Sequence, residues 1–417
     1  MLTSLPLSAC PPPASLAPTI HWTEAGEARS ALWRSERAAA APKRVVLADD
    51  STSADSAYRQ ACEGTGLLWR GDFQNARLLL QAMARRIDKP AKAKREKKAQ
   101  PETGTHARVD GHSAAPAQAV QAFHLHRQAQ AQRARVLGMV LLPIDADYQI
   151  PLRRAPDTRL ACAEAWGPAD AAAGSSVVAL RELLGLVSAH EWRKKGLEIP
   201  ALGAPPNNRI HPHYGVYSPL RGEYIQLVAA AALPFGGAVP LAFDIGTGTG
   251  VLAAVLARRG VTRVLATDQD ARALVCAHEN LQRLGLTTQI ELVQVDLFPK
   301  GKAALVVCNP PWLPARPSAP IEHAIYDEGN RMLLGFLGGL SAHLEPGAEG
   351  WLILSDMAEH LGLRSRAELL AAITSAGLKV LGRLDAKPNH PKAADTADPL
   401  HTARAAEVTS LWRLGMI

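Results

Sequence analysis

The stretch that most constrains this chain is 241–313. It opens on Leu241, Ala242, Phe243, Asp244 and Ile245 and passes directly into Gly246, Thr247, Gly248, Thr249 and Gly250. It closes on Leu305, Val306, Val307 and Cys308, followed by Asn309, Pro310, Pro311 and Trp312. The first piece reads as a buried strand, a glycine-rich turn and a helix start. The second reads as a buried strand stopped by two prolines, which cannot continue a ladder. Between them helical and strand patterns alternate, the order of a parallel sheet with crossover helices. The expected fold class is therefore α/β, a doubly wound, Rossmann-like sheet. Ligands of such sheets bind beyond the carboxyl ends of the strands, where both motifs fall.

Glycines at 246, 248 and 250 let backbone pass close to a ligand without a β-carbon intervening. A dinucleotide fingerprint would place its third glycine one position later, where this chain has Val251. Arg263, Val264, Leu265, Ala266 and Thr267 read as the next strand. Asp268 ends it, 22 residues after Gly246, where this fold places the carboxylate that accepts from ribose hydroxyls. Asp270 is read as the N-cap of a helix over 271–286. Residues 290–295 are read as a third strand, with Asp296 at its end; a simple loop aspartate is the alternative there.

The spacing Asp244, Gly246, Gly248, Gly250 resembles the cofactor loop of class I S-adenosylmethionine-dependent methyltransferases. Asn309, Pro310, Pro311 and Trp312 resemble the Asn/Asp/Ser-Pro-Pro-aromatic motif of those that modify a nitrogen conjugated to a ring or carbonyl. The resemblance is to the small-domain group, which includes release-factor glutamine methyltransferases and enzymes acting on the exocyclic amine of guanine in ribosomal RNA. It implies a seven-stranded methyltransferase sheet, S-adenosyl-L-methionine as cofactor, and Asp244, Gly246, Gly248, Gly250, Asp268 and Asp296 as cofactor-binding positions. In this reading Asp244 faces the cationic amino-acid end of the cofactor, and Asp296 accepts from the adenine amine. The segment 214–221, with Tyr217 and Pro219, looks like the tyrosine/proline segment of the glutamine enzymes, although their Pro-Arg-Pro and Thr-Glu elements are absent. Tyr217 is accordingly taken as a cofactor-side residue.

The resemblance also assigns the chemistry. A conjugated nitrogen is a poor nucleophile because its lone pair is delocalised. Two acceptors, the side-chain oxygen of Asn309 and the carbonyl of Pro310, would hold its two N–H bonds and stabilise the positive charge that develops. Pro310 and Pro311 restrict the turn, and Trp312 offers a face for a planar group.

Charge bears on the acceptor. A net charge of +7 and pI near 9.2 favour an acidic partner, nucleic acid first. Residues 85–98 hold eight Lys/Arg against Asp88 and Glu96, a run that attracts phosphate backbones without sequence preference. The five cysteines, Cys10, Cys62, Cys162, Cys276 and Cys308, have no paired spacing. They speak against a disulfide framework or a zinc site and for a cytoplasmic location. His124, His126 and Arg127 are read as helix surface and not as metal ligands. The start of the chain makes a poor signal peptide. The most apolar run, 224–243, contains Gln226, Pro234 and Pro240 and is not a membrane span.

Residues 1–88 are read as an accessory α/β region: a loose start to about residue 23, a helix over 28–41, strands near 44–48 and 67–72, and a helix over 73–87. Residues 89–118 read as a basic flexible linker or loop. Residues 119–204 complete the accessory region, with helices over 119–135 and 177–189. Residues 205–417 are the methyltransferase domain; the loop 385–403, with His390, Lys392 and His401, is positioned to touch substrate. The expected protein is an N-methyltransferase acting on an sp² NH2 group of a macromolecule. RNA or DNA, ribosomal RNA above all, is slightly favoured over a glutamine of a translation factor. A nucleic-acid-binding protein with a silent methyltransferase fold is the non-enzyme alternative.

Overall fold

The computed structural model describes residues 18–98, 114–317, 320–388, 395 and 398–417. It separates into two compact units. Of the described residues, one holds 18–98 and 124–191, the other 114–123 and 192–417.

The first unit is built on a six-stranded sheet. Its strands are β1 (Thr19–Glu24), β2 (Glu27–Arg34), β3 (Arg44–Ala48), β4 (Thr65–Trp69), β5 (Val140–Ile144) and β6 (Ser176–Ala179), in the order β1-β2-β6-β5-β4-β3. β3, β4 and β5 run parallel, and β6 is antiparallel to β5. Around them lie α1 (Ala54–Cys62), α2 (Phe73–Lys98), α3 (Ala114–Leu137) from His124 on, α4 (Arg159–Trp166) and α5 (Leu180–Lys195) as far as Glu191. Ile20, Trp33, Leu68, Leu141 and Val177 fill one core.

Four sequence expectations change here. Residues 28–41 do not form a helix: they contain β2, in which buried Ala31 and Trp33 alternate with partly exposed Leu32 and Arg34. Pairing with β1 and β6 overrides the alanine-rich helical propensity. Residues 177–189 are strand first, then helix. The β-branched pair Val177 and Val178 completes the sheet, and α5 begins at Leu180 with no glycine or proline to mark the change. The linker expected over 89–118 is helical at both ends, because α2 continues to Lys98 and α3 starts at Ala114. Its Ala, Lys, Arg and Glu are strong helix formers. The remainder, 99–113, lies outside the described residues, as do the side chains of 89–98 and 114–117, Cys10, residues 1–17, and His390 and Lys392. The start expected to be loose to about residue 23 is ordered from Thr19, where β1 begins and pairs with β2.

The second unit opens with a small hairpin, β7 (Leu197–Glu198) and β8 (Arg209–Ile210), and α6 (Glu223–Ala230). The doubly wound part follows as β9 (Leu241–Ile245), α7 (Val251–Arg258), β10 (Arg263–Asp268), α8 (Ala271–Leu284), β11 (Ile290–Gln294), β12 (Ala303–Cys308), α9 (Arg331–His343), β13 (Leu344–Ser355), β14 (Leu378–Ala386) and β15 (Thr409–Met416). The sheet has the seven strands that the family resemblance implied, in the order β11-β10-β9-β12-β13-β15-β14. β9 to β13 are mutually parallel and only β15 runs against them.

Both faces of the central strands are covered. Ala242, Leu305 and Val307 join one core with Val251, Leu252 and Val255 of α7. Phe243, Ile245, Val306 and Cys308 join the other with Phe336 and Leu337 of α9. This two-sided burial is why β12 reads as an unbroken apolar run and not as an alternation. Truncating fully buried Phe336 to alanine should cost about 3–5 kcal/mol.

Candidate active site

The register of the sheet brings the sequence motifs to one edge. Ile245 pairs with Thr267 on one side and Cys308 on the other, and Asp268 pairs with Gln294. The residues that follow, Gly246, Gln269, Val295 and Asn309, therefore leave the sheet side by side at its carboxyl end.

Asp244 is only 1% exposed. Its Oδ2 accepts from Thr247 Oγ1 at 2.6 Å and from the Ala253 N–H at 3.0 Å. Ala253 is the third residue of α7, so its amide is one of the donors a helix start leaves free. Burial pushes the Asp244 carboxyl up to about 6, against the pull of those two hydrogen bonds. Asp244 is thus placed as a staple between strand, loop and helix. Gly246, Gly248 and Gly250 all have positive φ, 73°, 55° and 80°. These left-handed conformations favour glycine at all three positions; at Gly246 a β-carbon would also displace the flexible end of Met332, whose Cε would lie 2.5 Å away.

Asp268 ends β10 with both oxygens engaged: Oδ2 accepts from the Gly248 N–H at 3.0 Å, Oδ1 from the Asp270 N–H at 2.9 Å. Burial raises its pKa. Asp268 is therefore tied to the glycine loop. Asp270 accepts from the Arg272 N–H at 2.9 Å and caps α8, as the sequence suggested. Asp296 lies beyond β11, exposed, and pairs with Arg331 Nη1 at 2.9 Å. That hydrogen bond holds the Arg331 guanidinium above its usual pKa. Asp327 orients α9 over the loop by accepting from the Met332 and Leu333 N–H groups.

At the other end of the same edge, Asn309 follows β12. Its Oδ1 accepts from Trp312 Nε1 at 2.9 Å, and Pro310 is buried. The Arg221 guanidinium lies over the Trp312 ring, 4.9 Å from its centre. Two buried carboxylates hold Arg221: Glu223 Oε1 accepts from Nε at 2.7 Å and Glu407 Oε1 from Nη1 at 3.0 Å. Glu407 also accepts from Ser355 Oγ at 2.6 Å. Tyr217 is half-buried; burial raises its phenol pKa, and Arg221, Glu223 and Glu407 are the charges that act on it. Tyr217 thus belongs with the Asn309 end of the edge. Sequence reasoning passed over Glu223, Arg331, Met332 and Glu407. Glu407 stands 186 residues from Arg221, and nothing in the sequence signals that pairing.

The strand order has one reversed strand, and a glycine turn stands beside an Asn-Pro-Pro-aromatic turn at the sheet's carboxyl edge. Residues 212–334 match the family model described as the methyltransferase small domain. This region is a methyltransferase small domain. Curated relatives include a ribosomal protein L11 methyltransferase from Pelotomaculum thermopropionicum, 45% identical over 76 residues, 18% of this chain and 24% of that protein. A release factor glutamine methyltransferase from Moorella thermoacetica is 39% identical over 117 residues, covering 26% and 41%. One from Cereibacter sphaeroides is 32% identical over 173 residues, covering 38% and 59%. The chain thus spans between about a quarter and three fifths of the length of these relatives.

S-adenosylmethionine is the cofactor of this domain, and the donor set fits it. Asp268 is a carboxylate held by backbone N–H groups with no ion-pair partner among the described residues, so the edge suits a ligand rich in hydroxyl donors. Asp244, 1% exposed, braces the turn and does not face the cationic end of the ligand as the sequence led us to expect. Among the described residues there is no cluster of three metal-ligating side chains, and no helix is long and apolar enough to cross a membrane.

Proposed function

We propose that the protein is an S-adenosylmethionine-dependent N-methyltransferase whose acceptor is a planar NH2 group, the side-chain amide of a glutamine in a protein of the translation apparatus. The observation that carries this is Asn309, with Pro310, Pro311 and Trp312, at the end of β12 on the same sheet edge as Asp268 and the glycine loop. S-adenosylmethionine, when bound, supplies a methyl group made electrophilic by its sulfonium. Asp268, Gly246, Gly248 and Gly250 shape its seat, with Asp244 bracing the turn from below and Asp296 at the rim.

A carboxamide oxygen has two acceptor positions. Trp312 uses one on Asn309 Oδ1, which leaves the other for an incoming N–H. The Pro310 carbonyl takes the second N–H. Both acceptors favour the nitrogen as it becomes positive, so they act mainly on the transition state. Glutamine leads because the two relatives above with the longer matches, 117 and 173 residues, are named release factor glutamine methyltransferases. A second reading, a base of ribosomal RNA, rests on the charge of +7 and on the Lys/Arg run over 85–98.

The test is methyl transfer from labelled S-adenosylmethionine into a lysate of cells lacking the protein. Label lost on protease treatment and kept after RNase supports glutamine, and mass spectrometry should then find a methylated glutamine. Label lost with RNase would replace it with the base, and no label in either fraction would defeat the enzymatic reading.

A further inference from the structure

The Asn309 motif is braced from outside. Trp312 Nε1 donates to Asn309 Oδ1 at 2.9 Å. A carboxamide can face either way by rotation about its last bond, and its two ends do opposite things: the oxygen accepts and the nitrogen donates. An indole N–H can only donate, so a neighbouring indole selects the orientation that turns the oxygen toward it. The indole is fixed in turn. The Arg221 guanidinium lies on its face at 4.9 Å, a distance at which a cation is attracted to the ring.

Arg221 is not free to leave. It bridges Glu223, the first residue of α6, and Glu407, just before β15, and Glu407 is shared with Ser355 at the end of β13. Both carboxylate side chains are 5% exposed and the Arg221 side chain 21%. The start of α6 and the approach to β15, the latter tied to the end of β13 through Ser355, therefore converge on one guanidinium. That guanidinium bears on one ring, and the ring on one amide.

We propose that Trp312 and Arg221 are positioning residues for Asn309. Trp312 sets which way the carboxamide faces, and Arg221, clamped by Glu223 and Glu407, holds the indole where it can do so. The inference rests on the N-methyltransferase reading for its kinetic consequence, but its geometric content stands without it. Arg221 lies over one face of the ring, so the expectation that Trp312 offers a stacking face to the substrate concerns the opposite face.

The experiment has two arms. In the first, the Asn309 side-chain amide resonances are assigned by their loss in Asn309→Ala, and the Trp312 indole N–H by its loss in Trp312→Phe. The Asn309 resonances should shift or broaden in Trp312→Phe and, to a lesser degree, in Arg221→Lys. Lysine keeps a cation for both glutamates but not the planar group on the ring. Phenylalanine keeps a ring under Arg221 and removes only the donor, so the fold should survive. Unmoved Asn309 resonances in Trp312→Phe would overturn the proposal.

The second arm measures labelled methyl transfer into the acceptor fraction. Trp312→Phe should lower kcat roughly tenfold or more while the KM for S-adenosylmethionine stays within about twofold, the split expected of a group that acts through Asn309. In a Trp312→Ala background, Arg221→Lys should cost nothing further, because residues acting in series are not additive. Full turnover in Trp312→Phe, or additive losses, would overturn the proposal. If the wild-type protein transfers no methyl group, the N-methyltransferase reading falls, and the amide resonances still decide the positioning claim.

Discussion

The two sheets of this protein treat a carboxylate near the ends of their parallel strands in opposite ways. In the six-stranded sheet Asp72 follows β4, its side chain fully covered. Its Oδ2 accepts from Arg154 Nε at 2.6 Å and from Arg153 Nε at 3.0 Å, and its Oδ1 from the Gln74 N–H at 2.8 Å. The Arg154 guanidinium holds the carboxyl down at about 2, with the Gln74 amide and Arg153 helping. In the seven-stranded sheet Asp244 and Asp268 face no cation. Thr247 and backbone N–H groups are their partners, and burial carries both upward, Asp244 to about 6. A strand end that brings its own guanidinium groups has no charge left for a ligand. One that holds carboxylates with dipoles alone retains it. The same fold principle thus yields a closed structural knot in one unit and a candidate cofactor seat in the other.

The sharpest way to break this contrast is at Asn309. Asn309→Ala should lower methyl transfer by about 10²–10³ while S-adenosylmethionine binding, read by calorimetry, stays within a few-fold. Asp72→Asn should do the reverse, lowering the urea midpoint with transfer intact. Full activity in Asn309→Ala would reduce the motif to a turn.

Acid titration should separate the two carboxylates by sign. The folded pKa of Asp244 lies above its unfolded value of 3.8, so its protonated form favours the fold. Its contribution should make the protein less stable as pH rises from about 4 to 6, by up to about 3 kcal/mol at about 1.4 kcal/mol per pKa unit. Asp72 lies below its unfolded value, so its stabilisation is present above about pH 4 and is lost as pH falls toward 2. Denaturation midpoints of wild type and Asp244→Asn across pH 4–7 check this; parallel curves would mean that Asp244 titrates normally.

Asp268→Ala should weaken S-adenosylmethionine by about 1.5–3 kcal/mol, through lost hydrogen bonds to a charged group and a slackened Gly248. An unchanged dissociation constant would remove Asp268 from the seat. The smallest effect is expected at the rim. The Arg331–Asp296 pair is exposed on both sides, 56% and 53%, and such pairs contribute about 0–1 kcal/mol. Arg331→Met should therefore change cofactor affinity by less than about fivefold, in a direction that tells whether Arg331 competes with the ligand for Asp296 or orients it.

What the sequence by itself determined is local. A strand that must be buried on both faces is written as unbroken apolar residues, so β9 and β12 were plain. A turn whose left-handed backbone favours glycine is written as glycine, so the loop at 246–250 was plain, as was the seven-stranded sheet through its family resemblance. Asp270 could be read as a cap because its partner lies two residues away. Local signals failed where pairing overrides propensity, as in β2, and where no breaker marks a change, as between β6 and α5. Charge partners were decided by the tertiary structure alone. Nothing near Asp72 announces Arg153 and Arg154, 81 and 82 residues on, and nothing near Trp312 announces Glu407. The physical reason is that hydrophobic patterning and turn chemistry act through neighbours along the chain. An ion pair depends on distance in space, which exists only once the sheet has set its strand order.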